Sequence, residues 1–471
     1  MMLVKSFSTV AALVTALGGI GCASVNDSQS MRASTIEALF TVKAASDRSV
    51  VRVVTRNTLC PDIVWADGQR ERMRVRAEAV LVPLRGDSVQ SDSKPAHFDV
   101  LTCQVEWRQN ATGATVENRV VPAPHKQINR IVLIGDTGCR MKASDNAFQQ
   151  CLDATRWPFA QVAASAALMK PDLVIHLGDI HYRESPCPIA NAGCANSPWG
   201  YGMDAWRADL FEPAAPLLAA APWLFVRGNH ESCFRAGQGW FRFIDGDAWT
   251  SARSCDSPVN DINADFTAPY AVPLGADEQL IVFDSSKSSG KPYAPSDAAF
   301  RNYVSQMKEV AALAKRRPHN FFLSHHPLLA FAPEDGAGRA RPGGSRGLQS
   351  AFAVAYPERL FPDAVNVVMH GHIHLFEAIG FSSDHPASFI LGNAGSATEG
   401  RAPTTLDAGA QPYVNAHVED YASNLDFGFA VLDRVENSNA AQWRITEYDT
   451  LGRMKIVCEI QGAKSRCHQP K

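Results

Sequence analysis

The stretch 172-DLVIHLGDIHYRE-184 decides which fold this sequence predicts. An apolar run ends at Gly178 and Asp179, and a tyrosine, Tyr182, follows the aspartate by three residues. A run that is apolar on both faces is typical of a buried strand in a parallel sheet. In α/β folds, ligands gather at the carboxyl ends of such strands. Tyr182 is therefore either a packing residue or a metal ligand beside a carboxylate.

Similar apolar runs that end in polar residues recur on both sides of this stretch. They are 130-RIVLIGD-136, 223-WLFVRGNH-230, 320-NFFLSHHP-327 and 364-AVNVVMHGHIH-374. Helical segments separate several of these runs, and this alternation predicts an α/β fold. The polar residues at the strand ends are Asp136 in GDTG, Asp179 and Tyr182 in GDIHY, Asn229 and His230 in GNHE, His325 in SHHP, and His372 and His374 in GHIH.

These strand-end residues combine carboxylates, imidazoles and an amide. Gathered in one pocket, such groups are the ligand set for two adjacent metal ions, which a shared carboxylate can hold roughly 3.5–4 Å apart. A single motif of this kind carries little weight, because GD at a strand end is usually a turn. Five such motifs, each after an apolar run, predict a dinuclear metal site.

The series GDTG, GDIHY, GNHE, SHHP and GHIH resembles the calcineurin-like metallophosphoesterase superfamily, and within it the purple acid phosphatases. The superfamily's first motif is Asp-x-His, but Gly138 stands here in place of the histidine. The purple acid phosphatase pattern has this glycine, and it has a tyrosine where Tyr182 stands. The resemblance covers residues 130–375. It implies a four-layer α/β sandwich, in which two mixed β-sheets are flanked by helices.

The resemblance also divides the ligands between two metal ions. Fe(III) would take the hard, anionic set, in which a phenolate replaces the missing imidazole: Asp136, Asp179, Tyr182 and His374. A divalent ion, Zn, Fe or Mn, would take Asn229, His325 and His372, with Asp179 as the bridge. A phenol has a pKa near 10, so it needs a strongly charged ion beside it to ionise.

The activity that this resemblance implies is hydrolysis of phosphate monoesters, as in an acid phosphatase, by in-line attack of a metal-bound hydroxide. Asp179 and His230 are the predicted catalytic residues. The predicted substrate contacts are Asn229, His230, His326 and His181, although His230, His326 and His181 could instead have structural roles. A phosphodiesterase or nucleotidase on the same site remains an alternative, and so does a non-catalytic surface lipoprotein. A structural-zinc protein is disfavoured, because the ligand set is not thiolate-rich.

The first residues predict export. Residues 1–22 carry Lys5, an apolar stretch too short to span a bilayer, and GGIGC, which resembles a bacterial lipobox with Gly19 in place of the usual leucine. We therefore expect a periplasmic or outer-membrane-anchored protein with a lipid at Cys22, or else a plain signal peptide cleaved nearby. Residues 23–39 are polar and predict a tether. The net charge of −3 gives no reason to expect a nucleic-acid partner.

Cysteine usage agrees with an oxidising compartment. Of eleven cysteines, lipidation of Cys22 would leave ten. Neighbours in sequence would pair as Cys60 with Cys103, Cys139 with Cys151, Cys187 with Cys194, Cys233 with Cys255, and Cys458 with Cys467.

The remaining domain predictions concern the region before the first motif. Residues 40–121 carry alternating and β-branched runs such as SVVRVVTR, and they predict a small β-sandwich. Residues 122–128 are a proline-punctuated linker, and 129–471 form the catalytic domain. The sequence makes no prediction about the oligomeric state.

Overall fold

The structure is a computed structural model that describes residues 35–86, 93–333, 340–398, 403, 405–435 and 442–470. The predicted signal peptide, Cys22 and most of the tether lie outside the described residues. The last part of the predicted tether is not irregular, because the strand Ile36–Lys43 begins inside it. Its apolar residues are buried against the neighbouring strand Ser49–Thr55, and this burial explains why the chain is already ordered there.

Two large mixed sheets dominate the described residues. The first has eleven strands, in the spatial order Lys464–His468, Met454–Gln461, Gln442–Asp449, Gly428–Arg434, Arg130–Ile134, Leu173–His176, Trp223–Phe225, Ile36–Lys43, Ser49–Thr55, Leu101–Glu106 and Arg74–Ala77. The second has seven described strands, in the order Tyr270–Pro273, Glu278–Val282, His319–Leu323, Val365–His370, Ala387–Leu391, Phe376–Phe381 and Val418–Asn424.

The two sheets pack face to face. Leu133, Ile175 and Leu224 of the first sheet share one buried apolar cluster with Phe321 and Met369 of the second. Helix Phe159–Leu168 covers the outer face of the first sheet, and helices Ala298–Ala314 and Arg346–Phe352 cover that of the second. This arrangement is the predicted four-layer α/β sandwich, and the fold prediction is therefore confirmed.

The all-β region before the first motif is present, and it continues the first sheet. Its strand Ile36–Lys43 pairs in parallel with Trp223–Phe225. A separate four-stranded sheet packs against this region of the first sheet around an apolar cluster of its own. Its strands are Arg119–Val120, Ala114–Val116, Asp62–Trp65 and Arg70–Arg72. Residues 35–471 form one compact unit, so residues 122–128 do not separate two compact bodies.

Short elements complete the described chain. The strands are Val80–Val82, Ala96–Phe98, Met141–Lys142, Ala147–Phe148, Phe331–Pro333 and Ala340–Pro342. The short α- and π-helices are Met203–Trp206, Arg207–Phe211, Ala215–Leu218, Gly237–Gly239, Trp240–Ile244 and Asp261–Ala264. The 3-10 helices are Ala45–Asp47, Ala143–Asp145, Ala192–Cys194, Asn229–Glu231, Ser251–Arg253 and Pro258–Asn260. All five predicted disulfides are formed. Among the described residues, each helix is too short or too polar to cross a bilayer.

Candidate metal centre

The strands Arg130–Ile134, Leu173–His176 and Trp223–Phe225 run in parallel, so their carboxyl ends meet at one edge of the sheet. The loops that follow are tied together, because the backbone N–H of Asp136 donates to Gly178 at 3.0 Å. Asp136 and Asp179 both adopt a φ of 54°. This left-handed conformation is unfavourable for residues other than glycine and occurs preferentially at functional sites.

Gly228 allows the third loop to come close to the first two. A Cβ atom at this position would lie 2.1 Å from Oδ1 of Asp179, which is far inside van der Waals contact. Without a side chain at Gly228, the backbone N–H of His230 donates to the same carboxylate oxygen at 2.8 Å. Glycine at position 228 therefore places Asn229 and His230 beside Asp179.

One group of ligating atoms surrounds the hydroxyl oxygen of Tyr182. This oxygen lies 2.8 Å from Oδ1 of Asp136, 3.1 Å from Oδ2 of Asp179 and 2.8 Å from Nε2 of His374. The Nε2 atom of His374 is itself 3.3 Å from Oδ1 of Asp136. Tyr182 is 2% exposed, so all four groups meet away from bulk solvent.

A second group surrounds the other side of Asp179. Oδ2 of Asp179 lies 3.0 Å from Nε2 of His325, and one ligating atom from each of Asp179, His325 and His372 lies within 4.8 Å of the others. The buried Oδ1 of Asn229 has no hydrogen-bond partner among the described residues. Asp179 Oδ2 faces both groups, as a bridging carboxylate would.

With neutral histidines, the two groups contain fewer N–H and O–H protons than hydrogen-bond acceptors. Metal ions can take the place of the missing protons, so the site fits cations. Nδ1 of His374 lies 2.7 Å from the carbonyl oxygen of Ala397, and Nδ1 of His325 lies 2.8 Å from that of Leu177. Each carbonyl accepts the Nδ1 proton, so an imidazole in its neutral form, which a metal ligand must adopt, points an Nε2 lone pair at carboxylate oxygens. Such a cluster of lone pairs is favourable around metal ions and repulsive without them.

Without metal ions, the electrostatics of the site oppose ionisation of Tyr182. Burial, followed by the charges of Asp136 and Asp179, raises the pKa of Tyr182 well above its usual value. Burial lowers the pKa of His325, but the charge and hydrogen bond of Asp179, with the charge of Asp136, together raise it to about 9. Without metal ions this imidazole therefore holds a second proton, which a metal ion would have to displace. A phenolate at this position therefore requires a strongly charged ion nearby.

A family model for calcineurin-like phosphoesterases matches residues 129–376, which is more than half of the chain. The chain belongs to the calcineurin-like phosphoesterase family. With the ligand geometry above, membership makes this protein a metallophosphatase, a hydrolase of phosphate esters. No curated protein matches the sequence.

Several solved structures resemble this phosphoesterase. PhoD is 12% identical with a TM-score of 0.52, and the alignment covers 93% of each chain. A purple acid phosphatase from yellow lupin (Lupinus luteus) is 15% identical with a TM-score of 0.48 over 92% of this chain and 74% of its own. A dimetal phosphatase from Danio rerio is 14% identical with a TM-score of 0.39 over 72% and 100%. At such low identity the similarity to PhoD supports the fold alone.

Glu231 holds two ligand loops of the phosphoesterase together, and sequence reasoning gave it no role. Its carboxylate accepts the backbone N–H groups of Gly228 and Asp179 at 3.0 Å each, of Ile180 at 2.8 Å and of His181 at 3.1 Å. Burial and then the charge of Asp179 raise the pKa of Glu231 to about 7. Its place in the GNHE motif, directly after a predicted ligand loop, was the available signal.

Asp209 anchors the loops that carry Asp136 and Tyr182. It accepts the backbone N–H of Tyr182 at 2.9 Å and that of Cys139 at 3.0 Å, and it pairs with Nε of Arg183 at 2.7 Å. Nothing in the local sequence 207-RADLF-211 signals this role, because every partner lies in a different part of the chain.

His230 stands beside the centre and is held by charged neighbours. Its ring lies 3.9 Å from that of Tyr182, and its Nε2 is 3.7 Å from Oδ2 of Asp179. Its Nδ1 lies 3.1 Å from Oε1 of Glu184 and 2.8 Å from Nη2 of Arg235. Arg235 in turn donates from Nε to Glu184 at 2.9 Å. Burial, followed by Arg235, lowers the pKa of His230.

The two remaining predicted substrate contacts differ in position. His326 lies at the centre, with its ring 4.2 Å from that of His372 and its Nδ1 3.2 Å from Oγ of Ser285. His181 is fully buried, with its ring 5.4 Å from Tyr201 and 5.8 Å from Trp206. Neither nitrogen of the His181 ring has a hydrogen-bond partner among the described residues.

Proposed function

We propose that this phosphoesterase hydrolyses phosphate monoesters at a site that holds Fe(III) and one divalent ion, Zn, Fe or Mn. The observation that carries the proposal is the position of the Tyr182 hydroxyl, within 3.1 Å of both Asp136 and Asp179 and 2.8 Å from His374. An oxygen-rich, anionic set with a phenol suits a trivalent ion. This is the arrangement that the resemblance to purple acid phosphatases implies.

The proposed ligands follow the two groups of atoms around Asp179. Asp136, Tyr182 and His374 would hold the trivalent ion, and Asn229, His325 and His372 would hold the divalent ion. Asp179 would bridge them, because its Oδ2 faces Tyr182 at 3.1 Å and His325 at 3.0 Å. When bound, two such ions neutralise the charge of a phosphoryl group and lower the pKa of a coordinated water.

The chain's own residues would orient the ester and move a proton. Asn229, His230 and His326 are the proposed contacts to the phosphate, because His230 Nε2 lies 3.7 Å from Asp179 and the His326 ring lies 4.2 Å from that of His372. When His230 carries a proton on both nitrogens, its Nδ1–H donates to Glu184, which faces it at 3.1 Å. Its Nε2–H can then be given to the leaving oxygen, and the ring is left neutral. We leave His181 out of these proposed contacts, since its ring packs against Tyr201 and Trp206.

A matched pair of chromogenic esters tests the proposal. We expect the protein to release 4-nitrophenol faster from 4-nitrophenyl phosphate than from bis(4-nitrophenyl) phosphate, which has the same leaving group. Faster hydrolysis of the diester would favour the alternative of a phosphodiesterase. Trapping of a phosphorylated side chain would contradict direct attack by water.

We also propose that the protein is exported and carries a lipid on Cys22. The five disulfides of the described residues support an oxidising compartment. Labelling with a radioactive fatty acid tests the anchor: we expect label on the wild-type protein and none on Cys22→Ala. Equal labelling of both proteins, or of neither, would contradict the anchor.

A further inference from the structure

Phe234 and Lys287 form a pair of side chains that the proposed chemistry does not use, on two segments that contact His230 and His326. Nζ of Lys287 lies 5.5 Å from the centre of the Phe234 ring, within the range of a cation–π contact. Phe234 is 38% exposed, more than any other phenylalanine, tyrosine or tryptophan among the described residues. A single exposed apolar residue needs no function, so the proposal depends on how this pair is held and where.

The backbone at Phe234 is anchored on both sides. The preceding Cys233 is fully buried and forms a disulfide with Cys255. The following Arg235 is paired with Glu184, and its Nη2 lies 2.8 Å from Nδ1 of His230. The segment that presents the ring is therefore the segment that holds His230.

Lys287 is anchored in the same way next to His326. Oγ of Ser285 accepts the backbone N–H of His326 at 3.0 Å, and a turn joins Ser285 to Ser288 through a 2.8 Å hydrogen bond. The carbonyl oxygen of Lys287, inside this turn, accepts the hydroxyl of Tyr293 at 2.6 Å. The ammonium group of Lys287 thus extends from a hydrogen-bonded turn whose first residue, Ser285, contacts His326.

A buried carboxylate joins the two segments. Oδ1 of Asp265 accepts the backbone N–H of Cys233 at 2.8 Å, and its Oδ2 lies 3.3 Å from Nζ of Lys287. The side chain of Asp265 is 3% exposed, whereas that of Lys287 is 35% exposed. Because an ammonium has three N–H donors, Lys287 keeps donors for a ligand while Asp265 holds it in place.

From this arrangement we propose that Phe234 and Lys287 form a subsite for the leaving group, which selects phosphate esters of aromatic alcohols that carry a negative charge. The proposal rests on the phosphatase function proposed above. An aromatic leaving group would stack on the exposed face of Phe234, since aromatic pairs gain energy beyond their buried area. A carboxylate or second phosphate on that group would pair with Lys287.

Three esters with similar leaving alcohols test the subsite: benzyl phosphate, cyclohexylmethyl phosphate and 4-carboxybenzyl phosphate. We expect wild-type kcat/KM to favour the benzyl over the cyclohexylmethyl ester, and Phe234→Leu to lower this ratio about twofold to tenfold. Lys287→Met should lower the ratio of the 4-carboxybenzyl to the benzyl ester, and Lys287→Arg should restore it. Lys455→Met is the matched control, because Lys455 is 39% exposed and lies 3.0 Å from Asp426, and we expect both ratios to stay at their wild-type values.

Binding of non-hydrolysable analogues separates this proposal from the proposed function. Calorimetry gives the Kd of benzylphosphonate, cyclohexylmethylphosphonate and 4-carboxybenzylphosphonate whether or not the protein hydrolyses any ester. Tighter binding of the aromatic analogues, reduced in Phe234→Leu, supports the subsite even if hydrolysis fails. Equal Kd values in the wild type, unchanged by either substitution, would overturn it while leaving the phosphatase function intact.

Discussion

The hydroxyl oxygen of Tyr182 lies 2.8 Å from Oδ1 of Asp136, although the two residues follow different strands of the first sheet. The parallel pairing of those strands brings them together, since Ile134 lies opposite His176. Burial and the two nearby carboxylates keep the phenol neutral in the absence of a strongly charged ion. The contact therefore suits the trivalent ion that we propose, and a substitution of Tyr182 can test that proposal.

Replacing Tyr182 by Phe tests that role. We expect the oxidised wild-type protein to absorb visible light through charge transfer from the phenolate to Fe(III), and Tyr182→Phe to lose this band and bind less iron. Tyr303→Phe is the control, because Tyr303 is also fully buried but packs in the core of the second sheet. A colourless wild-type protein that holds two zinc or manganese ions would contradict the iron assignment.

Glu231→Gln tests the connection between the ligand loops. The carboxylate accepts four backbone N–H groups, and an amide would turn its own N–H₂ toward some of them. We expect the free energy of unfolding to fall by about 2–4 kcal/mol, as measured by urea denaturation. Glu459→Gln, at a surface pair with Arg444, should change it by less than about 1 kcal/mol. Equal effects of both substitutions would contradict a structural role for Glu231.

Arg235→Lys tests whether the Glu184–Arg235 pair positions His230. Lysine keeps the charge but cannot reproduce the guanidinium contacts to both Glu184 and the His230 ring. We expect kcat to fall about tenfold to a hundredfold for alkyl phosphates, whose leaving oxygen needs a proton, and less for 4-nitrophenyl phosphate. The same loss for both classes of ester, with unchanged metal content, would exclude this positioning role.

Glu447 predicts a pH dependence of stability that does not involve the metal centre. Burial raises the pKa of this carboxyl from 4.5 to about 8, with hydrogen bonds from Asn424 and Asn393 opposing the shift. Between these two pH values the folded protein holds a proton that the unfolded chain has released. The contribution to stability is therefore complete below about pH 4.5 and is lost as the pH rises through 8.

Glu447→Gln should remove this dependence, because the amide is neutral at every pH and keeps an acceptor for both asparagines. We expect the melting temperature of the wild type to fall relative to that of Glu447→Gln between about pH 5 and pH 8. Melting temperatures that differ by a constant amount across this range would show that Glu447 ionises at its ordinary pKa.

The parts of the fold that sequence could predict were local. An apolar run followed by a polar residue and a turn is a short-range pattern, and it located the loops of Asp136, Asp179, Asn229 and His325. The structure brings these loops together because parallel strands place their carboxyl ends at one edge. The disulfide partners are successive cysteines along the sequence, and all five pairs form.

The parts that sequence could not predict depend on contacts between distant segments. Strand Ile36–Lys43 joins the first sheet through Trp223, and no local pattern reveals which sheet edge a strand will extend. The anchoring role of Asp209 arises from three distant partners. His181 was expected at the substrate because it lies between two predicted ligands, whereas its contacts with Tyr201 and Trp206 come from a distant helix and loop.

The metal content of the purified protein tests the central claim most directly. If Asp179 bridges two ions, elemental analysis of the wild type should find about two metal ions per chain, with iron among them. Asp179→Asn, shown to be folded by circular dichroism, should lose both ions together. Full metal content in Asp179→Asn, or an active wild-type enzyme without bound metal, would contradict the account.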